Sequence, residues 1–180
     1  MKKEVVVTIN RQEYASEVPL RMLLVDFIRD VAGLTGTHIG CTYEGRCGAC
    51  TVVLDGEAVK SCMMLAVQAD GANVLTIEGL EDSEGNMHPI QEAFWECQGL
   101  QCGYCTPGML MTVFDMLKSR PDGEVLDEEG IRAQLIGNIC RCTGYKHIIE
   151  AVRLAGERLG AMTPEQRETV FAAGASDPPA

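Results

Sequence analysis

Gly40-Cys41-Thr42-Tyr43-Glu44-Gly45-Arg46-Cys47-Gly48-Ala49-Cys50, with Cys62 further on, spaces four thiols as C-x5-C-x2-C-x11-C. Three donors on one loop and a fourth beyond a hairpin is the pattern of a plant-type [2Fe–2S] centre, whose usual spacing is C-x4-C-x2-C plus a distant cysteine. The first gap here is one residue longer. Four soft thiolates suit two irons bridged by sulfide. The interleaved glycines let backbone N–H groups approach the sulfurs, and Arg46 adds a positive charge beside them. A structural zinc ion is the competing use of four cysteines, although zinc spacings more often repeat C-x2-C.

Outward from this loop the pattern is that of strands with one helix. Val5, Val7 and Ile9 alternate with Val6, Thr8 and Asn10, the period of a strand. A turn at Asn10-Arg11-Gln12 leads to a second strand ending near Val18. Pro19 introduces a helix over about 20–31, with Leu23, Leu24, Phe27, Ile28 and Val31 on its buried face. Asp55-Gly56 turns a hairpin between Thr51–Leu54 and Glu57–Lys60, and Val74–Ile77 is the last strand. The result is a small mixed sheet crossed by one helix.

The polar run Glu81-Asp82-Ser83-Glu84-Gly85-Asn86 marks a boundary. Beyond it the period becomes helical, with helices over about 89–98, 107–120, 128–137 and 144–159. Thr106 and Asp127 are the expected N-caps, and Ile148, Ile149, Val152, Ala155 and Leu159 stripe the last helix. Four such helices make a compact bundle. Domain boundaries follow: 1–80, a linker 81–87, a helical domain 88–160, and an extended tail 161–180.

A second set of thiols lies in this helical half: Cys102-Gly103-Tyr104-Cys105, and far along Cys140-Arg141-Cys142. Each pair precedes a helix, whose N-terminus favours an anionic centre. Ligands from two separate loops would let a metal staple the bundle. Zinc is again the alternative. A dithiol redox motif would need a βαβ setting that the helical pattern lacks. Cys97, the ninth cysteine, falls on the stripe of Ile90, Ala93 and Phe94 and reads as a small buried hydrophobe. Met63, Met64, Met109, Met111 and Met116 read as core or interface filler, and Trp95 lies off the stripe.

The net charge of −11, from 26 acidic and 15 basic side chains, disfavours nucleic acid. No apolar run is long enough for a membrane span. The N-terminus does not read as a signal peptide. Spaced thiols in a chain without one fit a reducing compartment, so the expected location is cytoplasmic.

Taken together, Gly40-Cys41 through Cys50, then Gly99-Leu100-Gln101-Cys102-Gly103-Tyr104-Cys105-Thr106-Pro107-Gly108, then Gly137-Asn138-Ile139-Cys140-Arg141-Cys142-Thr143-Gly144-Tyr145 resemble the small iron–sulfur subunit of the xanthine dehydrogenase family of molybdenum hydroxylases. That family includes aldehyde oxidoreductases and aerobic carbon monoxide dehydrogenases. The resemblance covers about residues 3–160. It implies an α+β fold: an N-terminal plant-ferredoxin-like β-grasp domain followed by an all-α four-helix bundle. It also implies two [2Fe–2S] clusters, one on Cys41, Cys47, Cys50 and Cys62, the other on Cys102, Cys105, Cys140 and Cys142. Gln101 and Cys142 would sit against a molybdopterin held by a large subunit. Electrons would pass from that centre through both clusters, usually to FAD on a medium subunit. The chain would itself make and break no substrate bond. A free two-cluster ferredoxin and a zinc-stabilised interaction module are the alternatives.

Overall fold

The computed structural model describes residues 1–82, 84–120 and 126–172. It opens on a hairpin of β1 (Lys2–Ile9) and β2 (Gln12–Pro19), paired antiparallel. Both turn residues, Asn10 and Arg11, have positive φ, at 50° and 69°, as a two-residue hairpin turn that follows the strand twist requires. A second hairpin joins β3 (Thr51–Leu54) to β4 (Glu57–Lys60) around Asp55 and Gly56, also both at positive φ. The strand β5 (Asn73–Leu75) runs parallel to β1 and antiparallel to β3, giving the order β2-β1-β5-β3-β4.

Helix α1 (Leu24–Asp26) starts four residues later than expected and widens at once into a π-helical turn, Phe27–Val31. Ala32 donates to the Phe27 carbonyl across the wider ring. The late start has two causes: residues 20–21 form a turn closed by the Met22 N–H on the Pro19 carbonyl, and Leu23 is extended where it bridges to Leu65. Leu24, Phe27 and Ile28 are fully buried against Val5, Val7, Ile9, Val52 and Val74.

Side chains alternate across a strand, and β3 shows it. Val52 faces α1, whereas Val53 joins Leu75 on the opposite face in the core of the helical half. That half contains α2 (Pro89–Glu96), α3 (Thr106–Lys118), α4 (Glu128–Gln134) and α5 (Lys146–Gly160). Ile90, Phe94, Met109, Phe114, Ile131, Ile148 and Val152 fill it. The helix α3 lies across the sheet. Its half-buried Asp115 lies beside the backbone N–H of Ala58 on the end strand β4, and burial outweighs that neighbour and holds the carboxyl above its usual pKa.

Asp127 caps α4 as expected, accepting from the Gly130 N–H at 2.7 Å. Thr106 does not cap α3. Its N–H is bonded to the Gly103 carbonyl, which draws it into the first turn and leaves Cys105 as the preceding residue. Met109, Met111 and Met116 are buried filler, but Met63 is 62% exposed. An extended tail is expected over 161–180; instead Pro164–Phe171 forms a helix, α6, capped by Thr163 through the Gln166 N–H. Phe171 packs edge-on against Phe114, and Arg11 donates to the Ala172 carbonyl. Residues 173–180 of that tail lie outside the described residues.

Beneath α6 sits His88, only 4% exposed, its ring tilted against those of Phe114 and Phe171. Its Nδ1 accepts from the Ile90 N–H and so caps α2. Burial pushes its pKa down from 6.5 to about 4. The unfolded chain therefore takes up a proton that the folded chain refuses. Stability is complete above about pH 6.5 and is expected to fall by roughly 3 kcal/mol as the pH drops towards 4. Denaturant midpoints at neutral and acid pH measure the slope. His88→Asn, which keeps a capping acceptor, should remove this residue's share of it.

Candidate iron–sulfur centres

The loop 40–50 curls around the Cys41 thiol. Thr42 and Tyr43, at φ 55° and 66°, and then Gly45 and Gly48, at 68° and 72°, are all left-handed. Successive residues of this kind turn backbone N–H groups inward to form an anion-binding concavity. The N–H of Cys47 donates to the Cys41 sulfur, helped by those of Arg46 and Glu44. Against the opposing effect of burial they bring that thiol down from 9.0 to about 7. Arg46 itself is exposed and lies 3.5 Å from Glu44, so its charge is largely answered by a neighbour.

Cys50 and Cys62 lie deeper, at 2% and 4% exposure, under Val25. Burial pushes the Cys50 thiol up to about 12. Ser61 fixes the two relative to one another, donating through its hydroxyl to the Cys50 carbonyl at 2.7 Å. Thr51 closes the loop, donating to the Gly48 carbonyl at 2.7 Å.

In the helical half, Cys102 and Cys142 are exposed while Cys105 is half-buried and Cys140 buried. Cys105 ends the loop that leads into α3. The pair Cys140 and Cys142 precedes α5, entered through Tyr145 at φ 69°. The Tyr145 hydroxyl accepts from the Cys140 N–H and donates to the Asn138 carbonyl, both at 2.8 Å, which fixes the second loop. Burial pushes the Cys105 thiol up to about 12. At Cys140 burial works in the same direction, but hydrogen bonds from Thr143 and the Cys142 N–H outweigh it and leave the thiol below its ordinary value.

All eight predicted thiols are thus gathered into two groups, and within each group they meet in pairs. Cys41 neighbours Cys47, Cys50 neighbours Cys62, Cys105 neighbours Cys140, and Cys102 neighbours Cys142, close enough in each pair for one thiol to shift the other. Among the described residues, no three His, Cys, Asp or Glu side chains converge on one point where a single ion could sit. Two pairs per group is the donor set of a two-iron centre, in which each iron takes two protein ligands. Tetrahedral zinc would instead draw all four sulfurs to one point. The donors present therefore fit a [2Fe–2S] group in both halves.

Cys97 stays apart from both groups; it packs against the helical core but is only half-buried, less covered than the buried hydrophobe expected, and burial raises its thiol pKa. Gln101 is exposed and lines an open cavity of about 640 Å³ with Trp95, Glu96, Gln98, Leu100 and His147. Trp95 is 71% exposed there. Sequence reasoning passed over Asn138, a buried side chain that touches both cysteine loops. A lone Asn between a glycine and an isoleucine carries no local signal of such a role.

Comparison with known proteins bears directly on this geometry. Residues 7–76 match the 2Fe-2S iron-sulfur cluster binding domain, and residues 76–153 match the [2Fe-2S] binding domain. The chain is 48% identical over 146 residues to the caffeine dehydrogenase subunit gamma of Pseudomonas sp. (strain CBB1), covering 81% of this chain and 86% of that one. It is 42% identical over 172 residues to a probable xanthine dehydrogenase subunit of Bacillus subtilis (strain 168), covering 94% and 93%. Among solved structures it superposes on quinoline 2-oxidoreductase from Pseudomonas putida 86 with a TM-score of 0.80 at 41% identity, covering 87% of this chain and 94% of that one. Two [2Fe–2S] clusters are accordingly its cofactors, and among the described residues no helix is long and apolar enough to cross a membrane. The chain belongs to the small iron–sulfur subunits of the xanthine dehydrogenase and aldehyde oxidoreductase family, and is a subunit of an oxidoreductase complex.

Proposed function

We propose that this chain is the electron-transfer subunit of a molybdenum hydroxylase. It carries electrons from a molybdopterin centre in a large subunit, through its two clusters, to FAD on a medium subunit. Cys102, Cys105, Cys140 and Cys142 hold the cluster that faces the large subunit, and Cys41, Cys47, Cys50 and Cys62 hold the other. The observation that carries this reading is the two-plus-two pairing of thiols in both halves, with Cys102 and Cys142 exposed beside the cavity that Gln101 lines.

When bound, a [2Fe–2S] group accepts and returns one electron at a time, with no substrate bond made or broken. The polypeptide supplies the rest. N–H groups of Glu44, Arg46 and Cys47 stabilise charge on the Cys41 sulfur. Val25, Leu23 and Ile39 keep water from Cys50 and Cys62. Thr143 and Tyr145 hold the Cys140 loop against α5. Gln101 and the Cys142 sulfur are the atoms presented to the pterin. We place the unit boundary at 81–87, between an N-terminal β-grasp unit (1–80) and a four-helix bundle (88–160), in a cytoplasmic protein.

Exposed apolar side chains favour a subunit over a freely diffusing ferredoxin. Trp95, Tyr104, Ile136 and Ile139 are 71%, 49%, 87% and 53% exposed, a burden that a partner surface would relieve. Purification of the native complex tests the proposal. Iron and labile sulfide should be present in equal amounts, two distinct paramagnetic signals should appear after dithionite, and a molybdenum-containing chain should co-purify. Zinc in place of iron, or an iron–sulfur chain that migrates alone, would refute it.

A further inference from the structure

Among the described residues, one backbone–backbone hydrogen bond joins the two cysteine loops. The Ile139 N–H donates to the Cys47 carbonyl at 2.9 Å. Cys47 belongs to the first group of thiols, and Ile139 is bonded to Cys140 of the second. One hydrogen bond therefore joins the backbones of two proposed ligands.

Asn138, 5% exposed, is fastened in every direction around this contact. Its Nδ2 donates to the carbonyls of Gly108, at 3.1 Å, and Gly48, at 3.4 Å. Its Oδ1 accepts from the Thr112 hydroxyl at 3.1 Å. Its own N–H donates to the Leu135 carbonyl, and its carbonyl accepts from Tyr145. One side chain thus binds the loop before Cys50, the first turn of α3 after Cys105, and the strand of chain that enters Cys140. Buried polar groups are usually satisfied, but here the partners come from both halves at once. A Cβ at Gly48 would lie 2.6 Å from Asn138 Nδ2, so only glycine admits this approach.

A second crossing exists and is longer. The Tyr104 hydroxyl donates to the Ile39 carbonyl at 3.0 Å, and its ring stacks on His38 at 4.5 Å. His38 Nδ1 also meets the Tyr104 backbone carbonyl at 2.8 Å, so electrons on that route would travel through a whole tyrosine or histidine side chain before reaching the backbone next to Cys105.

Resting on the functional reading above, we propose that the Ile139 N–H to Cys47 carbonyl hydrogen bond is the crossing by which electrons pass between the two centres. Asn138 is the positioning residue that holds it. In this step one electron leaves the Cys140 side and arrives on the Cys47 side. One centre is oxidised and the other reduced, no proton moves, and no bond is made or broken.

Ile139→Pro removes the donor together with the isoleucine side chain, and Ile139→Ala controls for the latter. The lost side chain is half exposed, and Asn138 at φ −123°, ψ 114° already has the extended conformation that proline imposes on its predecessor. In the full chain with both centres bound, flash reduction followed by freeze-quenched paramagnetic spectra reads how fast the electron redistributes between the two signals. The rate should drop several-fold in Ile139→Pro and stay at the parent value in Ile139→Ala, which keeps the N–H, and in Tyr104→Phe. Asn138→Ala should slow it too, with faster hydrogen–deuterium exchange over residues 137–142 and both signals retained. An unchanged rate in Asn138→Ala and Ile139→Pro, or equal slowing in Tyr104→Phe, overturns the proposal. If Ile139→Pro fails to bind both centres, the Asn138→Ala result decides. A parent chain that lacks one of the two signals would overturn the two-cluster reading instead.

Discussion

Gly108→Ala is expected to unfold the junction between the sheet and the helices, at a cost of about 4 kcal/mol or more. Gly108 lies in the first turn of α3, pressed on the loop that ends at Cys50. An added Cβ would run into the Gly48 carbonyl oxygen and lie 2.9 Å from both the carbonyl carbon and the Cα of Ala49. These are backbone atoms, which cannot swing aside as a side-chain tip can. The Gly48 carbonyl also accepts from the Thr51 N–H, the Thr51 hydroxyl and the Asn138 amide, so moving it breaks three further hydrogen bonds. The helix can relieve the clash only by lifting off the sheet, which would expose Val53 and Leu75. Chemical denaturation of the cluster-loaded chain measures the loss. Gly160→Ala is the control: its Cβ would meet nothing within 4 Å, and its effect should stay within about 0.5 kcal/mol.

Cys105→Ser and Cys50→Ser should each remove one cluster and spare the other. Both thiols are buried enough to stay protonated near neutral pH without a metal. Iron would displace the proton, so serine, a hard and weakly acidic ligand, is a poor replacement. Each variant is expected to lose half of the iron and one of the two dithionite-induced signals. The larger effect on stability belongs to Cys105→Ser, because its cluster joins the loop before α3 to the loop before α5, whereas Ser61 and Thr51 already tie the first loop without metal. Cys97→Ser should keep all the iron. Iron analysis and paramagnetic spectra of the three variants decide, and loss of iron in Cys97→Ser would remove the basis for assigning it to packing.

Much of this was readable from local chemistry. Positive-φ turns announced themselves as Asp55-Gly56, alternating valines gave β1, and the 3.6-residue stripe of Ile148, Val152, Ala155 and Leu159 gave α5. The thiol spacings pointed to two groups of four. The features that escaped share a physical cause: their partners are distant in sequence. The helix α6 has no buried face of its own, so no stripe betrays it, although Thr163-Pro164-Glu165-Gln166 is a capping signal that could have. Asn138 looks like a loop residue until Gly48 and Gly108 are brought beside it. Met63 reads as filler by type, yet its sulfur lies over Gly45, where a Cβ would come within 2.7 Å of it. That makes it a flap on the cysteine loop, outside the core.

The placing of Asp115 beside the Ala58 N–H has a consequence for how the protein survives before its partners arrive. A strand at the border of a sheet offers outward N–H groups to any passing chain, and chains recruited in this way grow into fibres. The carboxylate sits beside one of those groups on β4, and α3 packs on the same strand. At the opposite border β2 carries Glu13, a charge that disfavours pairing with a second copy, and Glu17, which is ion-paired with Lys2. A newly made chain can therefore wait unassembled in a crowded cell without templating its neighbours.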